Sequence, residues 1–209
     1  MTTAIIRGIM QAVQARYEFR AFAQHFGPAE EKMRKLAKFE KFRESSEIYI
    51  LSAANDDHNI KIRYDTLDIK VLVKEEQGQQ QWQPKIKAEF PVKTAIIREE
   101  IFPALNVALP EFKRSQYLLA QFIQNIIQPH PALSIARVYK RRFGYTINGC
   151  ISEIAELTIN GAAIKTMAAE SLDVQSILQA KETLGLQEYE NVSYLLAIKR
   201  ILGMAPLPE

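Results

Sequence analysis

The sequence predicts an α+β protein built on an antiparallel sheet of about eight strands with helices packed outside it. Three observations point there. Short segments rich in Ile, Val, Tyr and Phe alternate apolar with charged residues at period two. Asn-Gly pairs at 148–149 and 160–161 separate such segments in the way two-residue hairpin turns do. Longer stretches with apolar residues at helical spacing interrupt the strand pattern and close the chain.

Residues 1–14 (MTTAIIRGIMQAVQ) lack a basic n-region and a long apolar h-region, so a short leading helix is expected there rather than a signal peptide. Residues 15–209 are expected to form a single domain. Within it, 15–23 (ARYEFRAFA) read as a strand with Glu18, Arg20 and Phe22 on one face and Tyr17, Phe19 and Ala21 on the other. After Gly27-Pro28, residues 28–39 read as an amphipathic helix. Pro28 stands in its first turn, Glu30 and Glu31 follow, and Met33, Leu36 and Ala37 form its stripe. A strand over 46–52, a turn through Asn55, Asp56 and Asp57, and a strand over 59–65 (NIKIRYD) make a hairpin in which Lys61 and Arg63 share a face. Strands over 67–74 and 81–90 flank the polar turn KEEQGQQ, the second carrying Lys85, Lys87 and Glu89 at period two.

Apolar residues at helical spacing predict helices over 92–105 and 112–127, bounded or kinked by Pro91, Pro103, Pro110, Pro129 and Pro131. A long strand over 133–145 ends in VYKRRFGY and sets Lys140 and Arg142 on one face, with Tyr139, Arg141 and Phe143 on the other. Strands over 150–159 and 162–171 follow across the Asn-Gly turns. Helices from 172 or 173 to 184 and over 191–202 end the domain before Gly203 and Pro206.

Composition excludes several classes. A chain of 209 residues can bury a core of its own, and 47% hydrophobic with 24% charged residues is ordinary for a globular protein rather than a fibrous or disordered one. A net charge of +3, from 27 basic and 24 acidic residues, is too small for general nucleic-acid binding, and no specific nucleic-acid partner is expected. Cys150 is the single cysteine, so no internal disulfide is available, which fits a reducing, cytoplasmic setting. No apolar run approaches the roughly 18 residues of a membrane span, and no membrane partner is expected. Whether the chain forms a homodimer stays open.

His25, His58 and His130 have no metal-ligand spacing, and no phosphate-binding loop or nucleophile elbow is present. The charged strand faces carry the chemical signal. Taken singly, each is an ordinary solvated sheet surface whose charges pair across strands for a few tenths of a kcal/mol. Taken together, Lys or Arg recurs at i and i+2 on three strands, and like charges side by side need an anion or water. Were the strands to close into a barrel, these faces would line a tunnel suited to a polyanion, with Arg and Lys on phosphate oxygens and a few carboxylates for Mg2+ or Mn2+.

IKIR at 60–63, VYKRRFGY at 138–145, Glu156 in EIAELTING, Glu170, and NVSYLLAIKRILG at 191–203 together resemble the CYTH superfamily, the triphosphate tunnel metalloenzymes. The likeness runs over residues 15–203. It implies a closed or nearly closed antiparallel barrel forming a tunnel. The ligand it implies is a small-molecule triphosphate or nucleotide, organic or inorganic, hydrolysed with Mg2+ or Mn2+. It further implies Glu18, Glu156 and Glu170 as catalytic and metal-holding carboxylates, and Arg20, Lys61, Arg63, Lys85, Lys87, Lys140 and Arg142 as the phosphate grip. The family's first strand has the form E-x-E-x-K. Here Arg20 and Phe22 replace its second Glu and its Lys, and Ala168 replaces the first Glu of a late E-x-E strand. The phosphate-gripping half is therefore kept and the metal-holding half thinned. A binding module without catalysis and a class IV-type adenylate cyclase are the alternatives.

Overall fold

A computed structural model describes residues 14–207, so the leading helix expected over 1–14 lies almost wholly outside the described residues. Ten strands form. They are β1 (Arg16–Ala23), β2 (Lys41–Ser52), β3 (His58–Arg63), β4 (Thr66–Glu76), β5 (Gln79–Glu89), β6 (Val92–Lys93), β7 (Gln116–Tyr117), β8 (Leu133–Ile147), β9 (Cys150–Ile159) and β10 (Ala162–Ser171). Eight of them close a barrel in the order β1-β10-β9-β8-β2-β3-β4-β5, while β6 and β7 pair separately. The fold class is the expected one: α+β, with a closed antiparallel barrel.

Local chemistry sets the hairpins. Asn148-Gly149 and Asn160-Gly161 all have positive φ, between 46° and 94°, which is the conformation a two-residue turn needs to match strand twist and which Asn and Gly reach at low cost. The β1–β5 seam is short, running from Arg16 opposite Trp82 to Glu18 opposite Gln80. Beyond it Asn191 Oδ1 accepts from the Arg20 amide at 2.9 Å, and the Val192 amide donates to the Arg20 carbonyl at 2.7 Å, so the β1 backbone stays paired.

Helices cover the barrel's apolar outer surface in two layers. α1 (Pro28–Leu36) and α5 (Val174–Leu184) bury Met33, Ile177, Ala180 and Leu184 against Phe19, Ile154 and Met167. Asp173 caps α5 by accepting from the Gln175 and Ser176 amides. The second layer comprises α2 (Thr94–Ile96), a π-helical turn (Ile97–Ile101), α3 (Phe102–Leu105), α4 (Leu119–Phe122) and a second π-helical turn (Ile123–Ile127). It buries Ile97, Ile101, Phe122 and Ile126 against Ile60, Ile62, Leu67 and Ile69. The helix predicted over 112–127 begins only at Leu119, because Tyr117 is drawn into the β6–β7 pair opposite Val92 and Thr94 bonds the Arg114 and Ser115 carbonyls.

The last helix, α6 (Tyr194–Ile201), is capped by Ser193 and packs Leu195 and Ile198 onto Tyr49, Leu51, Ala136, Val138, Ala155 and Leu157. By strand alternation these residues share the face of Lys140 and Glu153, so α6 fills one end of the barrel interior. Burying each of its two aliphatic side chains contributes about 1.5–3 kcal/mol. Lys199 pins α6 to the β2–β3 turn through the Asn55 carbonyl and Asp56. No helix among the described residues is long and apolar enough to cross a membrane.

Candidate functional site

The rest of the barrel interior is a tunnel of about 490 Å³. Period-two alternation carries eight of the sequence-predicted residues into its wall: Glu18, Arg20, Lys61, Arg63, Lys87, Lys140, Arg142 and Glu170. On β3 the alternation is strict, with Ile60 and Ile62 buried in the outer core while Lys61 and Arg63 line the tunnel.

Two predicted residues do not reach it. Glu156 lies on the outer face of β9, its Oε2 accepting from Arg141 Nη1 at 2.9 Å. It stands three residues after Glu153, and an odd spacing puts the two on opposite faces, so Glu153 lines the tunnel instead. Lys85 is the extra residue of a β-bulge: Ile86 opposes Ile69 and Pro84 opposes Lys70, leaving Lys85 without a partner on β4. It turns outward, 3.6 Å from Glu100 of the first π-helical turn. Lys85→Ala and Glu156→Gln are therefore expected to change the unfolding free energy by less than about 1 kcal/mol in urea denaturation, as exposed pairs contribute little.

Sequence reasoning missed several tunnel residues. β2 starts at Lys41 rather than Ser46, which brings in Lys41 and Arg43, and Tyr49 of the predicted part of the strand lines the cavity too, with Glu47 buried behind it. The signal is in KFRESSEIY, where alternate residues 41, 43, 45, 47 and 49 share a face once the strand is extended upstream. Asp68 and Lys70 of β4, Arg16 of β1 and Tyr194 of α6 also line the cavity. In all, ten Lys and Arg side chains and four Asp and Glu side chains line it.

Glu47 organises one side of the site. Its side chain is 0% exposed and lies 2.9 Å from Lys140 Nζ, 3.6 Å from Lys61 Nζ and 3.5 Å from Arg63 Nη1. The Tyr49 hydroxyl donates to it at 3.0 Å and accepts from Lys140 at 2.8 Å. Burial pushes the Glu47 carboxyl up, but Lys140, Lys61 and Arg63 outweigh it and hold the group well below the usual carboxylate range. Lys140 is 2% exposed and lies 3.4 Å from the centre of the Tyr194 ring. Arg142 differs from its neighbour two residues earlier: among the described residues its buried Nε–H has no acceptor.

Arg20 organises the other side. Its Nε donates to Glu18 at 2.7 Å, its Nη1 lies 3.6 Å from Glu153, and its Cζ lies 4.5 Å from the centre of the Tyr194 ring. Glu170 faces Glu18 directly across the β1–β10 ladder. Burial, and then the Glu18 charge, raises the Glu170 carboxyl above its usual range. Burial also pushes Glu18 up, but Arg20 prevails and keeps it below that range. This donor set does not fit a resident divalent ion. Glu156 is on the far side of the sheet, and a guanidinium stands between Glu18 and Glu153. Among the described residues no three His, Cys, Asp or Glu side chains gather closely enough to hold a metal ion.

Solved structures of distant sequence share this barrel. The PH1012 protein of Pyrococcus horikoshii OT3 superposes with a TM-score of 0.50 at 16% identity, over 86% of this chain and 97% of that protein. HpAC1 of Hippeastrum, an adenylyl cyclase candidate described as having a dominant triphosphatase activity, superposes with a TM-score of 0.50 at 11% identity, over 89% of this chain and 95% of that one. The fold is shared. No family model matches the sequence, and no curated protein matches it. The likeness is thus one of backbone, and function has to be argued from the tunnel's own side chains.

Proposed function

We propose that the tunnel binds the triphosphate group of an organic or inorganic triphosphate. The observation that carries this reading is the excess of cationic over acidic side chains in a closed barrel, together with the buried Arg142 Nε–H that has no acceptor in the described protein. Cations facing one another in a partly dehydrated cavity repel, and a linear polyanion relieves all of them at once. Arg63 and Arg142 supply forked donors that match phosphate oxygens, while Lys61 and Lys87 supply compact charges. The likeness of IKIR and VYKRRFGY to the CYTH pattern supports the reading, as does a fold shared with a protein described as a triphosphatase.

Hydrolysis is a second reading, and Glu170 favours it. A carboxyl held protonated to higher pH than usual, beside ionised Glu18, is suited to giving a proton to a leaving phosphate oxygen. Calorimetry with tripolyphosphate and ATP, with and without Mg2+, is the test of binding. Saturable uptake that is lost in the Lys61→Ala/Arg63→Ala double variant is expected, and no uptake in either condition at millimolar ligand would overturn the proposal. Orthophosphate release marks the hydrolase, whereas cyclic AMP with pyrophosphate marks a cyclase.

A further inference from the structure

Of the carboxylates expected from the sequence to hold a divalent metal, Glu18 is taken by the Arg20 guanidinium, which also reaches Glu153. Arg20 on β1, Ala168 on β10 and Glu153 on β9 lie in one row across three adjacent strands. One inward-facing position along the ladder, Glu18 faces Glu170. Glu18 of β1 and Glu153 of β9 thus both reach Arg20, with Nε on Glu18 at 2.7 Å, and Nη1 3.6 Å from Glu153 and 3.4 Å from the Thr166 hydroxyl, while Glu170 of β10 stands opposite Glu18.

The surroundings are built around that guanidinium. Ala168 is the cross-strand partner of both Arg20 and Glu153, and its single methyl leaves the long side chain room to pass over β10. The Tyr194 ring covers the guanidinium, and Arg20 as a whole is only 5% exposed. Asn191 and Val192 hold its backbone on both sides. A guanidinium is charged at every working pH and, unlike an ion, is covalently tethered. It also lines the tunnel beside the lysines and arginines that face a ligand.

We propose that the Arg20 guanidinium is the resident cation of this site, standing between Glu18 and Glu153 in the place a divalent ion would need, so that the tunnel holds its triphosphate without Mg2+ or Mn2+. The ligand part rests on the triphosphate reading above; the cation part does not. Three of the four carboxylates that line the tunnel, Glu18, Glu153 and Glu170, lie against Arg20 or opposite a carboxylate that does, and ten cations line the same wall, so the anion meets a net positive wall.

Two measurements test this. The first titrates Mn2+ alone into the protein, followed by electron paramagnetic resonance. Wild type is expected to show no saturable Mn2+ uptake, whereas Arg20→Ala, with Glu18 and Glu153 released, takes up one ion. Uptake of one Mn2+ by wild type at micromolar concentration, or none by a folded Arg20→Ala, would overturn the proposal whether or not any triphosphate binds. The second is calorimetry with tripolyphosphate in EDTA. Wild type binds as tightly as it does with Mn2+ present, Arg20→Ala loses at least about tenfold in EDTA, in line with a lost hydrogen bond to a charged group, and Arg20→Lys recovers part of the loss. Binding by wild type that vanishes in EDTA and returns with Mn2+ would sink the cation assignment while leaving the triphosphate reading intact; no binding under any condition would do the reverse. Should Arg20→Ala fail to fold, the wild-type arms of both measurements still decide.

Discussion

Glu47→Ala lowers the unfolding free energy by about 3–5 kcal/mol, the usual cost of leaving one member of a buried ion pair behind. The loss falls on Lys140, which is 2% exposed and retains only the Tyr49 hydroxyl and the Tyr194 ring once the carboxylate is gone. Lys61 and Arg63, with side chains 17% and 28% exposed, can turn their charges to water and lose less. Urea denaturation at neutral pH reads the difference. The Glu47→Ala/Lys140→Met double variant should recover most of it, since an apolar pair in place of a buried ionic one is close to neutral. A loss below about 1 kcal/mol in the single variant would mean that water already screens the cluster.

The same cluster sets a pH dependence. The folded-state carboxyl of Glu47 lies well below its unfolded value, so the unfolded chain binds the proton first on acidification. Its contribution to stability is fully present above the unfolded value of about 4.3 and is lost as pH falls through the folded one. Wild type is therefore expected to weaken steeply below about pH 5, and Glu47→Gln to flatten that part of the profile. Identical slopes for the two proteins would assign the acid sensitivity elsewhere, with depressed Glu18 the next group to test.

The second large effect concerns Arg142. Arg142→Ala weakens tripolyphosphate by about tenfold to a hundredfold, equivalent to one hydrogen bond to a charged ligand at about 1.5–3 kcal/mol. Unfolding free energy should change little, because Arg142 has no carboxylate partner in the folded protein among the described residues. Arg142→Lys restores charge without the planar fork and recovers only part of the affinity. Lys140→Met behaves in the opposite way, costing stability more than affinity. Equal effects of the two variants on affinity would contradict the division of roles between these neighbours on β8.

Alternation explains why so much of the tunnel is legible. Lys61 with Arg63, and Lys140 with Arg142, share a face by a rule that involves only their own strand, so VYKRRFGY and NIKIRYD announce cationic walls without any knowledge of neighbours. Glu156 shows where that rule stops. Its strand is legible in the sequence, but its face depends on which parity of β9 turns inward, and the pairing of Arg141 with Glu156 across β8 and β9 puts it on the outside. Lys85 fails for a related reason. Pro84 lacks an amide to give to the ladder and sits beside a bulge, which breaks the period-two count between Lys85 and Lys87. Lys41 and Arg43 escape the same rule because the polar run ESS at 44–46 shows no apolar alternation, so the strand is predicted to begin only at Ser46; Glu47 lies within that strand, but the cations it meets come from β3 and β8.

The sequence by itself determined the antiparallel strands, the Asn-Gly hairpins, the α+β class and a set of cationic faces in need of an anion, since each of these follows from interactions between residues close along the chain. Only the tertiary structure decided which charge meets which. Barrel closure brings Glu47 of β2 against Lys140 of β8, and Arg20 of β1 across Ala168 to Glu153 of β9. Those encounters depend on strand order, register and bulges, and a slip of one residue in any of them would send the side chains to the other face of the sheet. They separate cations committed to the protein from those left for a ligand.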